Sequence, residues 1–261
     1  MKPARRVIAL EGRLRHCRNV RTLGVRPNFM DYSPEERRLI LSSPCVYYPS
    51  SFYAGLLAAA GRRTFPGHHT YRCVQDKIRQ TALFQMTGVA HPRTRVFYGR
   101  RQQQRIPEHF DYPFVAKAAR GSAMGRGVYL IRGPRELADY CRGRHAAYIQ
   151  EYLPVDRDMR VVVIGGRVVH AYWRLAPAGG FLTNLSAGGR IGTEPVPQEA
   201  LALARETALR CRWDDVGVDI CCSRGRYWVL EGNMKYGKRG FRHFGIDYDR
   251  LMESLIEDGK I

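Results

Sequence analysis

The sequence predicts an α+β fold, with a small N-terminal α/β module ahead of a larger unit of hairpins and interspersed helices. Three observations predict it. Residues 45–61 read as one strand–helix unit. From residue 112 onward, apolar stretches pair across short Gly-containing turns. No internal repeat and no long linker interrupts the 261 residues. Hydrophobic residues make up 44% and charged residues 26%, which excludes collagen-like, low-complexity and wholly disordered chains. The longest apolar runs, Leu56–Ala60 and Val161–Ile164, fall far short of the roughly 20 residues that a membrane-spanning helix needs. Only Val7–Leu10 is apolar near the start, too little for a secretory leader, so a soluble cytoplasmic protein is expected.

Taken in order, Val7–Leu10 and Cys45–Tyr48 read as short strands. Pro49-Ser50-Ser51 offers a helix cap, Phe52–Ala60 the helix and Gly61 its stop. His68-His69 falls in a Pro-Gly loop. Adjacent histidines do not make the i, i+4 pair of a helical metal site, so they read as loop polar groups. Asp76–Thr87 is a helix stopped by Gly88. Tyr112–Ala118 and Gly127–Arg132 are strands around a Gly-rich loop, Pro134–Cys141 is a helix and Tyr148–Leu153 a strand. Met159–Ile164, Gly165-Gly166 and Arg167–Arg174 form a strand, turn and strand. Glu199–Cys211 is a helix, Gly217–Cys222 and Tyr227–Glu231 are strands, and Asp247–Glu257 is a helix. Domain limits follow as 1–74 for the module and 75–261 for the larger unit, itself divided at 152/153.

The net charge is +19, carried by 37 Arg and 6 Lys against 24 acids. Such an excess favours anionic partners: nucleotides, acidic metabolites, nucleic acid or ribosomes. It is spread as +9 over residues 1–75 and +10 over the remainder, with no basic run of five and no finger or zipper signature. A solvated Arg-rich surface explains it equally well. The seven cysteines form no C-x-x-C pair and are an odd number, so they read as reduced thiols.

Two constellations carry chemistry. Gly121-Ser122-Ala123-Met124-Gly125-Arg126-Gly127 joins two strands, unlike a P-loop or Rossmann loop, which opens a helix. Its glycines allow close backbone approach to polyphosphate, with Lys117 four residues ahead; a plain hairpin loop is the alternative. Further on, a three-residue loop Arg224-Gly225-Arg226 places Asp219 directly across from Glu231, with Asn233 on the same face. Opposed like charges destabilise a ladder unless something cationic offsets them, and hard oxygen donors suit Mg²⁺ held with phosphates. A polar strip in a shifted register is the other reading.

Together these features resemble the ATP-grasp superfamily, and most nearly its RimK-like branch of glutamate ligases. The resemblance covers about residues 75–250. It rests on Asp76-Lys77, Pro113–Lys117, the glycine loop, Ile149–Leu153, Asp158-Met159-Arg160, Asn184-Leu185 with Gly188-Gly189, Val216–Ile220 and Glu231-Gly232-Asn233. It implies two subdomains that clamp ATP. Lys77 and Lys117 would contact phosphates under a flap that includes Gly121, Ser122, Gly125 and Gly127. Gln150, Glu151, Tyr152 and Leu153 would receive adenine, and Asp158 the ribose. Arg160, Arg174 and Asn184 would face the γ-phosphate and an acyl phosphate. Asp219, Glu231 and Asn233 would hold Mg²⁺ or Mn²⁺. The implied activity is ATP-dependent carboxylate–amine ligation through an acyl phosphate, with small-molecule or peptide substrates of anionic character.

Two departures concern substrate identity. The branch usually follows Glu-x-Asn with a Ser-Pro-Gly loop; here Met234–Arg242 carries Lys235, Lys238, Arg239 and Arg242. These four are candidate ligands for an anionic acceptor, or else partners for acids of the last helix. The N-terminal 70 residues also lack a clear match to the usual module. A degenerate nucleotide-binding module and a basic RNA- or ribosome-binding protein are the competing functions.

Overall fold

The computed structural model describes residues 7–121, 127–177, 183, 185 and 188–261. Three sheets follow one another along the chain. The first is parallel, with strand order β2-β1-β3-β4. It comprises β1 (Val7–Ala9), β2 (Val20–Thr22), β3 (Cys45–Tyr47) and β4 (Arg63–Phe65). Helices α1 (Pro34–Ser42) and α2 (Ser50–Ala59) connect these strands, and α3 (His68–Arg72) follows them. Ser33 and Glu36 close a reciprocal capping box at the start of α1. In α2 Pro49 holds the cap position and Ser50, already the first helical residue, accepts at Oγ from Tyr53 N at 3.4 Å. His68 and His69 lie within α3, not in a loop, with ring centroids 3.8 Å apart.

Helix α4 (Lys77–Thr87) begins at Asp76, whose carboxylate accepts from Arg79 N at 3.0 Å, and stops at left-handed Gly88. The second sheet is antiparallel in the order β5-β8-β6-β7. Its strands are β5 (Thr94–Tyr98), β6 (Phe114–Lys117), β7 (Val128–Ile131) and β8 (Ala146–Glu151), flanked by α5 (Gly99–Gln103) and α6 (Pro134–Cys141). The third sheet runs β11-β10-β9-β12-β13. It is built from β9 (Arg157–Ile164), β10 (Arg167–Leu175), β11 (Arg190–Gly192), β12 (Asp215–Ser223) and β13 (Arg226–Asn233). Helix α7 (Gln198–Arg210) precedes β12, and α8 (Arg239–His243) and α9 (Tyr248–Glu257) end the chain.

The central strand explains the continuous apolar run at 161–164. Val161 and Val163 point toward α7, whose Ala200, Ala204 and Ala208 present one small, buried stripe at four-residue spacing. Val162 and Ile164 point the other way. They meet Tyr47, Tyr48 and Phe65 of the N-terminal module together with Phe241, Tyr248, Met252 and Leu255. A strand buried on both faces has no reason to alternate. The last helix therefore packs between the first and third sheets. Asn19 Nδ2 donates to Glu253 O at 3.1 Å and Glu257 Oε1 at 3.2 Å across this contact.

All seven cysteines are free; Cys222 is exposed and Cys141 half-buried, the others buried. No helix among the described residues is long and apolar enough to cross a membrane.

Gly232 touches the ring of Trp213 so closely that any Cβ there would overlap it. Gly232→Ala should therefore destabilise the fold by about 1–3 kcal/mol, the usual cost of overpacking. A urea midpoint unchanged from the parent would contradict this packing.

Candidate active site

The β12–β13 hairpin sets the geometry. Its turn is a two-residue one, Arg224-Gly225, with φ of 53° and 71°, and Ser223 pairs with Arg226. This differs from the three-residue loop that the spacing suggests. Left alone, the tighter turn would slip the register and set Asp219 against Leu230. A bulge between Ile220↔Val229 and Asp219↔Glu231 absorbs the extra residue, and the two acids face each other after all.

Asp219 is almost fully buried, yet charged groups surround it. Arg160, across the ladder on β9, donates from Nε and from Nη2, the second at 3.1 Å. Arg174 Nη2 lies 3.0 Å from Oδ2. Asn233 Nδ2 donates to Asp219 Oδ2 at 2.8 Å and to Glu231 Oε1 at 3.0 Å. Lys77 Nζ approaches Glu231 Oε2 at 3.4 Å. Burial works against the Asp219 charge, but Arg160 and Arg174 outweigh it and hold the carboxyl below the ordinary aspartate range. Gly217 makes room for this arrangement: a Cβ there would come 2.8 Å from Arg160 Cδ.

A second pair shares the cluster. Arg174 donates in bidentate fashion to Asp158, at 2.7 and 2.6 Å, and Thr183 Oγ1 donates to Asp158 Oδ2 at 2.6 Å. The Asp158 carboxylate expected to meet ribose is thus engaged by Arg174 and Thr183. On the facing sheet, Lys117 is buried on β6. Burial pushes its ammonium below the ordinary lysine range, a push that Glu231 opposes and Lys77 reinforces. An ammonium kept near Glu231 in a dry site is a strong point charge for phosphate.

The base of the glycine loop is stitched to the start of α4. Gly121 N donates to Gln75 O at 3.1 Å, Lys77 N to Ala119 O at 3.0 Å, and Arg120 Nε to Asp76 Oδ2 at 3.1 Å. Gly127 O accepts from Ala118 N at 2.6 Å. Ser122, Gly125 and Asn184 lie outside the described residues. Near the end of β8, Gln150 is buried and donates to Thr94 Oγ1 at 2.9 Å. Glu151 spends its side chain on Arg93 N at 2.5 Å, and Tyr152 and Leu153 are half-buried just beyond β8.

The basic segment divides. Lys235 reaches Glu11 of the N-terminal module at 3.7 Å. Lys238 pairs with Asp249 of α9 at 2.8 Å, so its charge is already matched. Arg239 and Arg242 are both exposed, and Arg239 donates to Leu185 O at 3.2 Å, next to Asn184 in sequence.

Two groups of residues have no obvious mark in the sequence. Gln80, one turn after Lys77 on α4, donates from Nε2 to Gly232 O and accepts at Oε1 from Gly232 N, both at 2.9 Å, and so fixes the Glu231–Asn233 segment. Only its i+3 spacing from Lys77 could have hinted at it. Asp215, wholly buried, accepts from Tyr48 OH at 2.7 Å and Tyr236 OH at 2.6 Å, and Arg13 lies over the Tyr236 ring at 4.4 Å. These residues are far apart in sequence, and only the docking of the N-terminal module brings them together.

The donor set is tested by its own chemistry. Two carboxylates and one amide converge through Asn233, and among the described residues no group of three His, Cys, Asp or Glu side chains could hold a metal alone. Such a set suits a divalent ion of the Mg²⁺ type, which keeps part of its shell for phosphate oxygens. The site fits the ion on condition that phosphate arrives with it.

Arg174 holds two buried acids at once. Arg174→Met should cost about 3 kcal/mol, because Asp158 loses its bidentate partner in the interior. Arg174→Lys should recover little, since one ammonium cannot reproduce the fork. Chemical denaturation of both variants checks this; a fully stable lysine variant would contradict it.

A family model described as a RimK-like ATP-grasp domain matches residues 74–256. The chain is 31% identical over 192 residues to coenzyme γ-F420-2:α-L-glutamate ligase of Methanococcus maripaludis, covering 70% of this chain and 66% of that one. It is 29% identical over 191 residues to ribosomal protein bS6–L-glutamate ligase of Escherichia fergusonii, covering 70% and 63%. The chain therefore spans just under two thirds of either relative. A solved RimK-domain ATP-grasp protein of Sphaerobacter thermophilus superposes with a TM-score of 0.71 at 18% identity, over 96% of this chain and 98% of that one. ATP-grasp enzymes use ATP and divalent metal ions, and this chain belongs to the RimK-like ATP-grasp family.

Proposed function

We propose that this chain is an ATP- and Mg²⁺-dependent ligase that joins a carboxylic acid to the amine of an amino acid through an acyl phosphate. The observation that carries the reading is the convergence of Lys77 and Lys117 with Asp219, Glu231 and Asn233 between the second and third sheets. Both relatives are named L-glutamate ligases, one for a coenzyme and one for a ribosomal protein, and we take L-glutamate as the amine here.

In the first step a carboxylate oxygen of the acid bonds the γ-phosphorus of ATP, and the bond to the β–γ bridging oxygen breaks to release ADP. In the second, the amine nitrogen bonds the carbonyl carbon and the acyl oxygen leaves as phosphate. The protein contributes position and charge. Lys77 and Lys117 bind phosphate oxygens. The segment 150–153 receives the base. Arg174 and Arg160 pass from their carboxylates to the transferring phosphoryl group. Released by Arg174, Asp158 takes the ribose. Asp219, Glu231 and Asn233 would hold Mg²⁺, which neutralises charge on the phosphate oxygens. Of the basic segment, Lys235, Arg239 and Arg242 remain candidates for substrate anions, whereas Lys238 serves the fold through Asp249.

The test is ADP release with Mg²⁺, ATP, L-glutamate and a panel of carboxylic acids, with the amide product weighed by mass spectrometry. Turnover should depend on one acid, and Lys117→Ala and Glu231→Gln should each lower it by about 10²–10³, as for loss of a charge-stabilising group. ADP released without an amide would instead indicate a kinase.

A further inference from the structure

Gly232 lies between Glu231 and Asn233 on β13, the last strand in the order of the third sheet. At such an edge no neighbouring strand takes the outward N–H and C=O. Here the side chain of Gln80 takes both. Nε2 donates to Gly232 O and Oε1 accepts from Gly232 N, each at 2.9 Å, as a neighbouring peptide would. Nε2 also donates to Cys73 O at 2.9 Å. These partners decide the amide's orientation: turned over, it would set NH₂ against N–H and oxygen against two carbonyls. Gln80 is 4% exposed, so water scarcely competes for the bonds.

Gly232 is also held from the face of the sheet, where a Cβ would overlap the Trp213 ring. Side chains alternate along a strand, so Glu231 and Asn233 project from the opposite face. Their direction is set by a peptide clamped from the edge and from behind. Lys77 sits one turn before Gln80 on the same side of α4, with Nζ 3.4 Å from Glu231 Oε2. One helix thus carries a candidate phosphate group and the amide that holds the candidate metal residues.

We infer that Gln80 is the positioning residue for Glu231 and Asn233, acting through the Gly232 peptide to hold them where a divalent ion on nucleotide phosphate needs them. This rests on the ligase reading and adds to it the residue on which the Mg²⁺ requirement depends. The test is calorimetric titration of ADP into the full chain at Mg²⁺ concentrations from zero to saturating. Gln80→Met keeps length and bulk but removes all three bonds. It should raise the Mg²⁺ concentration that half-maximally tightens ADP by about 10–100-fold, the usual effect of losing a group that orients metal ligands. ADP affinity without Mg²⁺ should stay at the parent value. Gln80→Glu, which keeps the bond from Gly232 N and loses both donors, should shift the Mg²⁺ dependence in the same direction. Gln103→Met is the control, since Gln103 on α5 is likewise buried and donates to a backbone oxygen, Arg144 O, at 2.8 Å. It should lower the melting temperature and leave the Mg²⁺ dependence unchanged. In the parent chain the Gly232 amide should exchange with deuterium as slowly as those of β12, a measurement that decides the matter even if Gln80→Met does not fold. An unchanged Mg²⁺ dependence in Gln80→Met, ADP affinity lost equally with and without Mg²⁺, an equal shift in Gln103→Met, or fast exchange at Gly232 would each overturn the assignment. A parent chain whose ADP binding ignores Mg²⁺ would overturn the ligase reading and the assignment with it, whereas a parent and a Gln80→Met variant that respond alike would remove Gln80 only.

Discussion

A buried carboxylate facing another carboxylate is the constraint around which this molecule is arranged. Asp219 sits in the interior of a sheet directly across from Glu231. Leaving two such charges uncompensated in a low dielectric is prohibitive, so each must be met by a cation or donor. Arg160 and Arg174 meet the first, Lys77 the second, and Asn233 bridges both. Each of these comes from a different strand or helix, so the cluster also fixes how β9, β10, β12, β13 and α4 stand relative to one another. The guanidinium groups occupy the charge-compensating role that a divalent ion with phosphate would take over.

The same logic ties the N-terminal module to the rest. Asp215 starts β12 with no solvent contact, four residues before Asp219. Its compensation comes from Arg13 and Tyr48 of the module and from Tyr236 in the segment after Asn233, while Tyr248 of the last helix accepts from Arg13 Nε at 2.9 Å. Arg13 Nη1 also holds Tyr236 O at 3.2 Å. The module is thereby fastened to the segment that follows the candidate metal residues, and a cavity of about 860 Å³ opens at that seam.

The fold was legible in the sequence wherever a period or a stop signal was local. Asp76 and Gly88 bracket α4, and the 161–164 run marks the strand buried on both faces. Strands β2 and β4 were not legible: they are no shorter than β1 and β3, but each carries an arginine and lacks the unbroken apolar run that marks those two. The hairpin is instructive. Asp219 opposite Glu231 came from assuming a three-residue turn; the chain uses two residues and recovers the pairing with a bulge near Leu230. Patterning alone could not distinguish these, since both end with the acids on one face. The candidate phosphate and metal residues stood out because they follow the motif order that the resemblance rests on. Gln80 and Asp215 were not, because Gln80 binds Gly232, 152 residues away, and Asp215 binds Tyr48, 167 residues away, contacts that only the tertiary fold makes.

The central claim is that the Asp219–Glu231–Asn233 set takes a divalent ion together with nucleotide phosphate and not by itself, because arginines hold Asp219 until phosphate draws them away. Isothermal titration of Mg²⁺ into the full chain, with and without saturating ADP, tests it most directly. The account predicts saturable Mg²⁺ binding with ADP and none over the same concentration range without it, with ADP affinity raised by Mg²⁺ through the same coupling. Mg²⁺ bound equally tightly in both titrations would contradict it.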